Sequence, residues 1–89
     1  MRNAARTDSN QAQIVQALRS IGVSVEYIKL PVDLLLWHRG QTSLMEVKTL
    51  EGRLTKQQVE FIARWPGPVH VVHTVREAIT AVVGEEAMA

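Results

Sequence analysis

Eighty-nine residues with a formal net charge of +1 make a single domain with a modest core, and too little charge to argue for nucleic acid on electrostatic grounds alone. An apolar fraction of 46% and a charged fraction of 21% exclude a disordered chain. The absence of cysteine excludes disulfides, a thiolate zinc site and a cysteine nucleophile.

No apolar run approaches the roughly 20 residues of a membrane span. The first ten residues are too polar for a signal peptide. A soluble, cytoplasmic protein with no membrane partner is the expectation. Aromatic residues are only 4%, so the core must be mainly aliphatic.

Residues Met1 to Thr7 carry two arginines and no periodicity, and read as a flexible basic tail. Good N-caps follow at Asp8 to Asn10, and apolar residues then fall at Ile14, Val15, Leu18 and Ile21. That spacing predicts a helix over Ser9 to Ile21, stopped by Gly22.

Val23 to Leu30 alternates and predicts a first strand, ended by Pro31. Val32 to His38 and Thr42 to Lys48 predict two more strands, joined by a tight turn at Arg39-Gly40-Gln41. The run Leu34-Leu35-Leu36 is apolar on both faces, which predicts a strand covered on both sides. A short polar loop leads to a capping box, Thr55-Lys56-Gln57-Gln58, and a second helix with Val59, Ile62 and Ala63 on its apolar face.

Pro66-Gly67-Pro68 breaks that helix. Val69 to His73 predicts a fourth strand. A second capping box, Thr74 to Glu77, opens a last helix ending at Gly84, and residues 85–89 read as a flexible end. The order is α-β-β-β-α-β-α. A strand–helix–strand crossover makes the last two strands parallel, so the fold class is α/β with a mixed sheet flanked by helices.

The chemistry gathers on the hairpin. Strand side chains alternate between faces. A turn at Gly40 pairs residues whose numbers sum to about 79 to 81, which brings Asp33 opposite Glu46, Val47 and Lys48. Two carboxylates at this separation suit Mg2+ or Mn2+. Such an ion activates water and neutralises charge on a phosphate under attack. A lysine beside them can orient or deprotonate that water, or stabilise the developing charge. The bland reading is Asp33 as a turn cap, with Glu46 and Lys48 on a solvated edge. The ordered set of P-x-D, strand, turn, strand, E-x-K and a glutamine-capped helix favours the site.

These residues carry a resemblance. Pro31-Val32-Asp33 with Glu46-Val47-Lys48 resembles the PD-(D/E)xK nuclease signature. Leu54-Thr55-Lys56-Gln57-Gln58 and the short length resemble the VRR-NUC branch, in particular its stand-alone phage-type members. The resemblance implies one nuclease domain over residues 1–89 with a restriction-endonuclease-like fold. It implies Asp33, Glu46 and the backbone carbonyl of Val47 as ligands of Mg2+ or Mn2+, and Lys48 as the catalytic lysine. Gln58 would bind substrate or order water. It also implies a homodimer that cuts branched DNA, including Holliday junctions, in a bacterial or phage-infected cell.

The chain departs from the pattern in three places. Val32 separates Pro31 from Asp33, the loop after Lys48 is short, and Gln13 stands where the family places a glutamate on the first helix. An amide can bind a metal through its oxygen, but without charge, so Gln13 is a weak ligand.

Arg53, Lys56 and Arg64 suit phosphate contacts on the DNA as well as ordinary solvated positions. His70 and His73, three apart on a strand, point to opposite faces and do not form a paired metal site. The expected function is metal-dependent, structure-selective hydrolysis of DNA phosphodiesters. The alternatives are a catalytically weakened DNA-binding module, because of Gln13, and a small subunit given to protein association.

Overall fold

The computed structural model describes residues 2–84, with side chains from Asn10 onward. The element order is α1 (Arg2–Ser20), β1 (Ser24–Tyr27), β2 (Leu34–His38), β3 (Gln41–Val47), α2 (Lys56–Arg64), β4 (Val69–Val72) and α3 (Val75–Val83). The strands form one mixed sheet in the order β1-β2-β3-β4, antiparallel except for the parallel pair β3–β4. This is the α/β order expected from the sequence. Residues 85–89 lie outside the described residues.

Helix α1 starts at Arg2, ahead of the expected Ser9, with no acidic residue in its first turn. It stops where expected. The N–H of Gly22 donates to the Arg19 carbonyl at 3.1 Å and that of Val23 to Leu18 at 3.0 Å, with Gly22 at a φ of 96°. This is a Schellman closure, which needs a left-handed residue after the helix. Leu18 and Val23, both buried, supply its apolar contact.

Strand β1 ends earlier than expected, at Tyr27. The next two N–H groups, of Ile28 and Lys29, both turn to the Asp33 carbonyl at 2.9 and 3.3 Å. Lys29 takes a left-handed conformation at φ 74°. The chain thus leaves the ladder before Pro31, and Val32 and Asp33 sit in the connecting loop rather than in β2.

The turn between β2 and β3 is two residues long, Arg39-Gly40, closed by the pair His38 and Gln41. Both residues have positive φ, 52° and 84°, the pattern of a type I′ turn matched to strand twist.

The core lies on one face of the sheet. Ile14, Val15 and Leu18 of α1 and Ala78 of α3 pack on Val25, Leu34, Leu36, Met45, Val47 and Val72. Each fully buried aliphatic side chain there contributes about 1.5–3 kcal/mol. The other face is only partly covered. Phe61 of α2 meets Val32 and Leu44, with Ile28, Ile62 and Val69 at the margin.

Strand β2 is therefore not covered on both sides as expected. Leu34 and Leu36 are buried, but Leu35 and Trp37, which alternate with them, are exposed at 37% and 49%. One nine-residue helix, seated over Leu44 and Val69, is too short to reach across the half of the sheet built by β1 and β2.

Helix α2 also turns a different side inward. Phe61 is its buried residue, while Val59 and Ala63 are exposed. Trp65 is 47% exposed and stacks on Phe61 with ring centroids 5.3 Å apart.

Candidate functional site

The register of the hairpin decides which side chains meet. Five pairs run from Leu34 with Met45 to His38 with Gln41, each summing to 79. Carried one position further, the same register sets Asp33 opposite Glu46. Glu46 alternates with Met45 and so shares the sheet face of Leu44, away from the main core.

Two hydrogen bonds lock this end of the hairpin. The backbone N–H of Asp33 donates to Glu46 Oε1 at 3.1 Å. Asp33 Oδ2 accepts from the backbone N–H of Val47 at 2.8 Å. Each carboxylate thus holds the opposite strand's backbone, and a short-range clasp replaces the ladder where β2 has not yet begun. Val32, fully buried against Leu44 and Phe61, anchors the loop that presents Asp33.

Lys48 completes the cluster. Its Nζ lies 3.2 Å from Glu46 Oε2. Its backbone N–H donates to the Val72 carbonyl at 2.9 Å, so the parallel partner strand fixes its position. Glu46 is buried at 3% exposure. Burial raises its pKa, and the nearby Asp33 charge raises it further. Hydrogen bonds from Lys48 and Gln58 and the Lys48 charge oppose the rise without cancelling it.

Gln58 serves two neighbours. Its Oε1 accepts from the Thr55 backbone N–H at 3.0 Å, while its own backbone N–H donates to Thr55 Oγ1 at 3.1 Å. This is the expected capping box, which satisfies two free donors at the helix start. The same side chain lies close enough to Glu46 to favour its charged form. With the amide oxygen used by the cap, the amide nitrogen is the donor available to the carboxylate. The two readings of Gln58, cap and site residue, are therefore compatible.

Asp33, Glu46, Val47, Lys48 and Gln58 come together as expected. The other expected site residues do not join them. Gln13 is exposed on α1, a helix whose buried residues pack on the opposite face of the sheet. Arg53 is exposed. Lys56 lies 3.9 Å from Glu60 in an i,i+4 pair, and the Arg64 guanidinium sits over the Phe61 ring at 5.4 Å. None of the three forms an ion pair with Asp33 or Glu46 among the described residues.

The donor set fits a hard divalent cation. Two carboxylates raise each other's energy, and a cation between them relieves that repulsion. Among the described residues no third histidine, aspartate or glutamate joins them. Mg2+ commonly binds through one or two carboxylates and keeps several waters.

One neighbouring group had no functional signal in the sequence. Glu77 occupies the expected capping-box position, and its backbone N–H donates to Thr74 Oγ1 at 3.0 Å. Its carboxylate does not return to Thr74. It accepts instead from the backbone N–H of His73 at 2.6 Å and lies 3.1 Å from His73 Nδ1. The box pattern marks the helix start but does not show that the glutamate reaches one residue further back.

Comparison with family models, curated proteins and solved structures gives no match to this chain. No helix among the described residues is long and apolar enough to cross a membrane.

Proposed function

We propose that the chain is a Mg2+- or Mn2+-dependent endonuclease that hydrolyses DNA phosphodiesters and selects DNA by structure, branched junctions included. The observation that carries this reading is the Asp33–Glu46–Lys48 cluster. A buried carboxylate with a raised pKa is set against a second carboxylate and a lysine at one open end of a hairpin. Such an arrangement costs stability, which is the pattern of a group kept for chemistry rather than for folding.

Asp33, Glu46 and the Val47 carbonyl would hold the cation, which when bound supplies charge neutralisation at the phosphate and activation of water. Lys48, at 3.2 Å from Glu46, would orient the attacking water or stabilise charge developing on the phosphate. Gln58, on the second helix, favours the charged form of Glu46. Among the described residues nothing resembles a base-reading helix, which favours selection by shape. A homodimer suits this substrate, because two nicks across a junction need two sites.

A second reading is a DNA-binding module of the same fold that cuts poorly. The two-carboxylate donor set favours it, and Gln13, which does not join the cluster, adds no third ligand. The separating experiment is DNA binding and Mn2+-dependent cleavage by the unaltered chain. Cutting supports the enzyme. DNA binding without cutting supports the weakened module.

A further inference from the structure

The core face of the sheet changes character at its hairpin end. Ser43 pairs with Leu36, Gln41 with His38, and His70 with Met45. By alternation these polar side chains share the face of Leu34, Leu36 and Met45. Helices α1 and α3, which pack on that face, end at Ser20 and Val83. Under their ends lies a cavity of about 860 Å3, a volume typical of small-molecule sites.

Its walls are apolar: Ile21, Pro68, Ile79, Val82 and Val83 line it. Its floor holds Ser43, which is 6% exposed. Buried hydroxyls are normally paired, yet Ser43 Oγ makes no hydrogen bond to another described residue. No fully enclosed polar side-chain atom is left unpaired among those residues, so Oγ reaches the cavity that Ser43 lines.

The charge pattern selects the ligand. Burial lowers the pKa of His70, so at neutral pH its ring is neutral, with one donor and one acceptor in either tautomer. Among the described residues no aspartate or glutamate lines the cavity, so nothing there favours a cation. The C-terminal ends of two helices carry partial negative charge toward it. They offset Arg39, the exposed cation at the mouth, and disfavour an anion.

We propose that this cavity binds a small uncharged amphipathic molecule, an apolar ring or chain ending in a hydroxyl of the phenol kind. Its head would pair with Ser43 Oγ and its body would lie against the apolar walls. The proposal does not rest on the nuclease reading. Ser43 lies near the start of β3, while Glu46 lies near its end and faces the other side of the sheet.

The test is an amide NMR titration of the full chain with para-cresol, toluene and para-toluate. Para-cresol should give saturable shifts at Gln41, Ser43, His70 and Val82 and leave Glu46 and Lys48 unmoved. Toluene, without the hydroxyl, should bind about tenfold more weakly, the size of one buried hydrogen bond. Ser43→Ala should weaken para-cresol by the same factor, leave toluene unchanged and keep the melting temperature of the free chain. A merely structural role for Ser43 would not separate the two probes. Val82→Phe, which narrows the cavity, should weaken both.

Four results would overturn the proposal: no saturable shift with para-cresol, equal para-cresol affinity in Ser43→Ala, tighter binding of para-toluate than of para-cresol, or contacts between Met88 and Ser43 in the free chain, which would show the cavity filled by the chain itself.

Discussion

Asp33 and Glu46 hold each other's strands: the Asp33 backbone N–H donates to the Glu46 carboxylate at 3.1 Å, and the Asp33 carboxylate takes the Val47 N–H at 2.8 Å. Two like charges are therefore kept together by backbone donors. For a cation bound as proposed, the clasp would preorganise the pair and lower the ordering cost of binding.

The cost of the clasp should appear as a pH dependence. Glu46 has a raised pKa in the fold, first through burial and then through Asp33. The folded state therefore keeps its proton at pH values where the unfolded chain has lost it. Below the ordinary value of 4.5 the group contributes no penalty, and stability falls as pH rises from there through the raised folded value. His70 acts with the opposite sign. Burial lowers its pKa, so stability falls as pH drops below 6.5 toward the folded value. Urea melts in EDTA between about pH 4 and 8 should show Glu46→Gln removing the loss on the alkaline side and His70→Asn the loss on the acid side.

Glu46→Gln should also separate stability from function. The amide can still accept from the Asp33 N–H, and the buried charge disappears. At neutral pH without metal the variant should melt at or above the temperature of the unaltered chain, while Mn2+ binding measured by calorimetry is lost. A clear drop in melting temperature would show that the Lys48 pairing outweighs the burial of the charge.

The two faces of β2 should respond differently. Leu34 is fully buried, so Leu34→Ala should cost about 2–5 kcal/mol. Leu35, on the open face, is 37% exposed, and Leu35→Ala should cost less than about half of that. Denaturant midpoints at constant slope are the measurement. Equal losses would mean that the second face is covered in solution.

Gln58 joins a helix cap to the site. Thr55→Ala should cost about 0.5–2 kcal/mol through the lost cap and leave the Glu46 partner in place. Gln58→Glu keeps an oxygen for the Thr55 N–H but sets a third carboxylate against Glu46. It should hold the helix and push the Glu46 pKa further up, read by NMR titration of the glutamate carboxyl carbons. An unmoved Glu46 titration would break the link between helix and site.

Much of this arrangement was legible in the sequence because it depends on short spacings. Arg39-Gly40 closes a two-residue turn, and that alone sets the register that carries Asp33 to Glu46. The Thr55–Gln58 capping box and the helix stop at Gly22 are local patterns, and both formed as read.

What was not legible depends on long-range packing. Leu34-Leu35-Leu36 reads the same whether one face is covered or two. The outcome rests on the length and seat of α2, which turns Phe61 inward in place of Val59. The early end of β1 follows from the Asp33 carbonyl taking two N–H groups, a contact between loop residues with no periodic signal. Gln13 was placed by resemblance, and the exposed side of α1 where it lies follows from how that helix packs.

The central claim is tested most directly by cleavage of labelled four-way junction, flap and linear duplex DNA with Mn2+, comparing the chain with Lys48→Ala. The account predicts that the chain cuts, that the junction is cut faster than the duplex, and that Lys48→Ala, still folded by circular dichroism, loses cutting by about a hundredfold or more. Cutting that persists undiminished in Lys48→Ala, or a folded, Mn2+-bound chain that cuts none of the three, would contradict it.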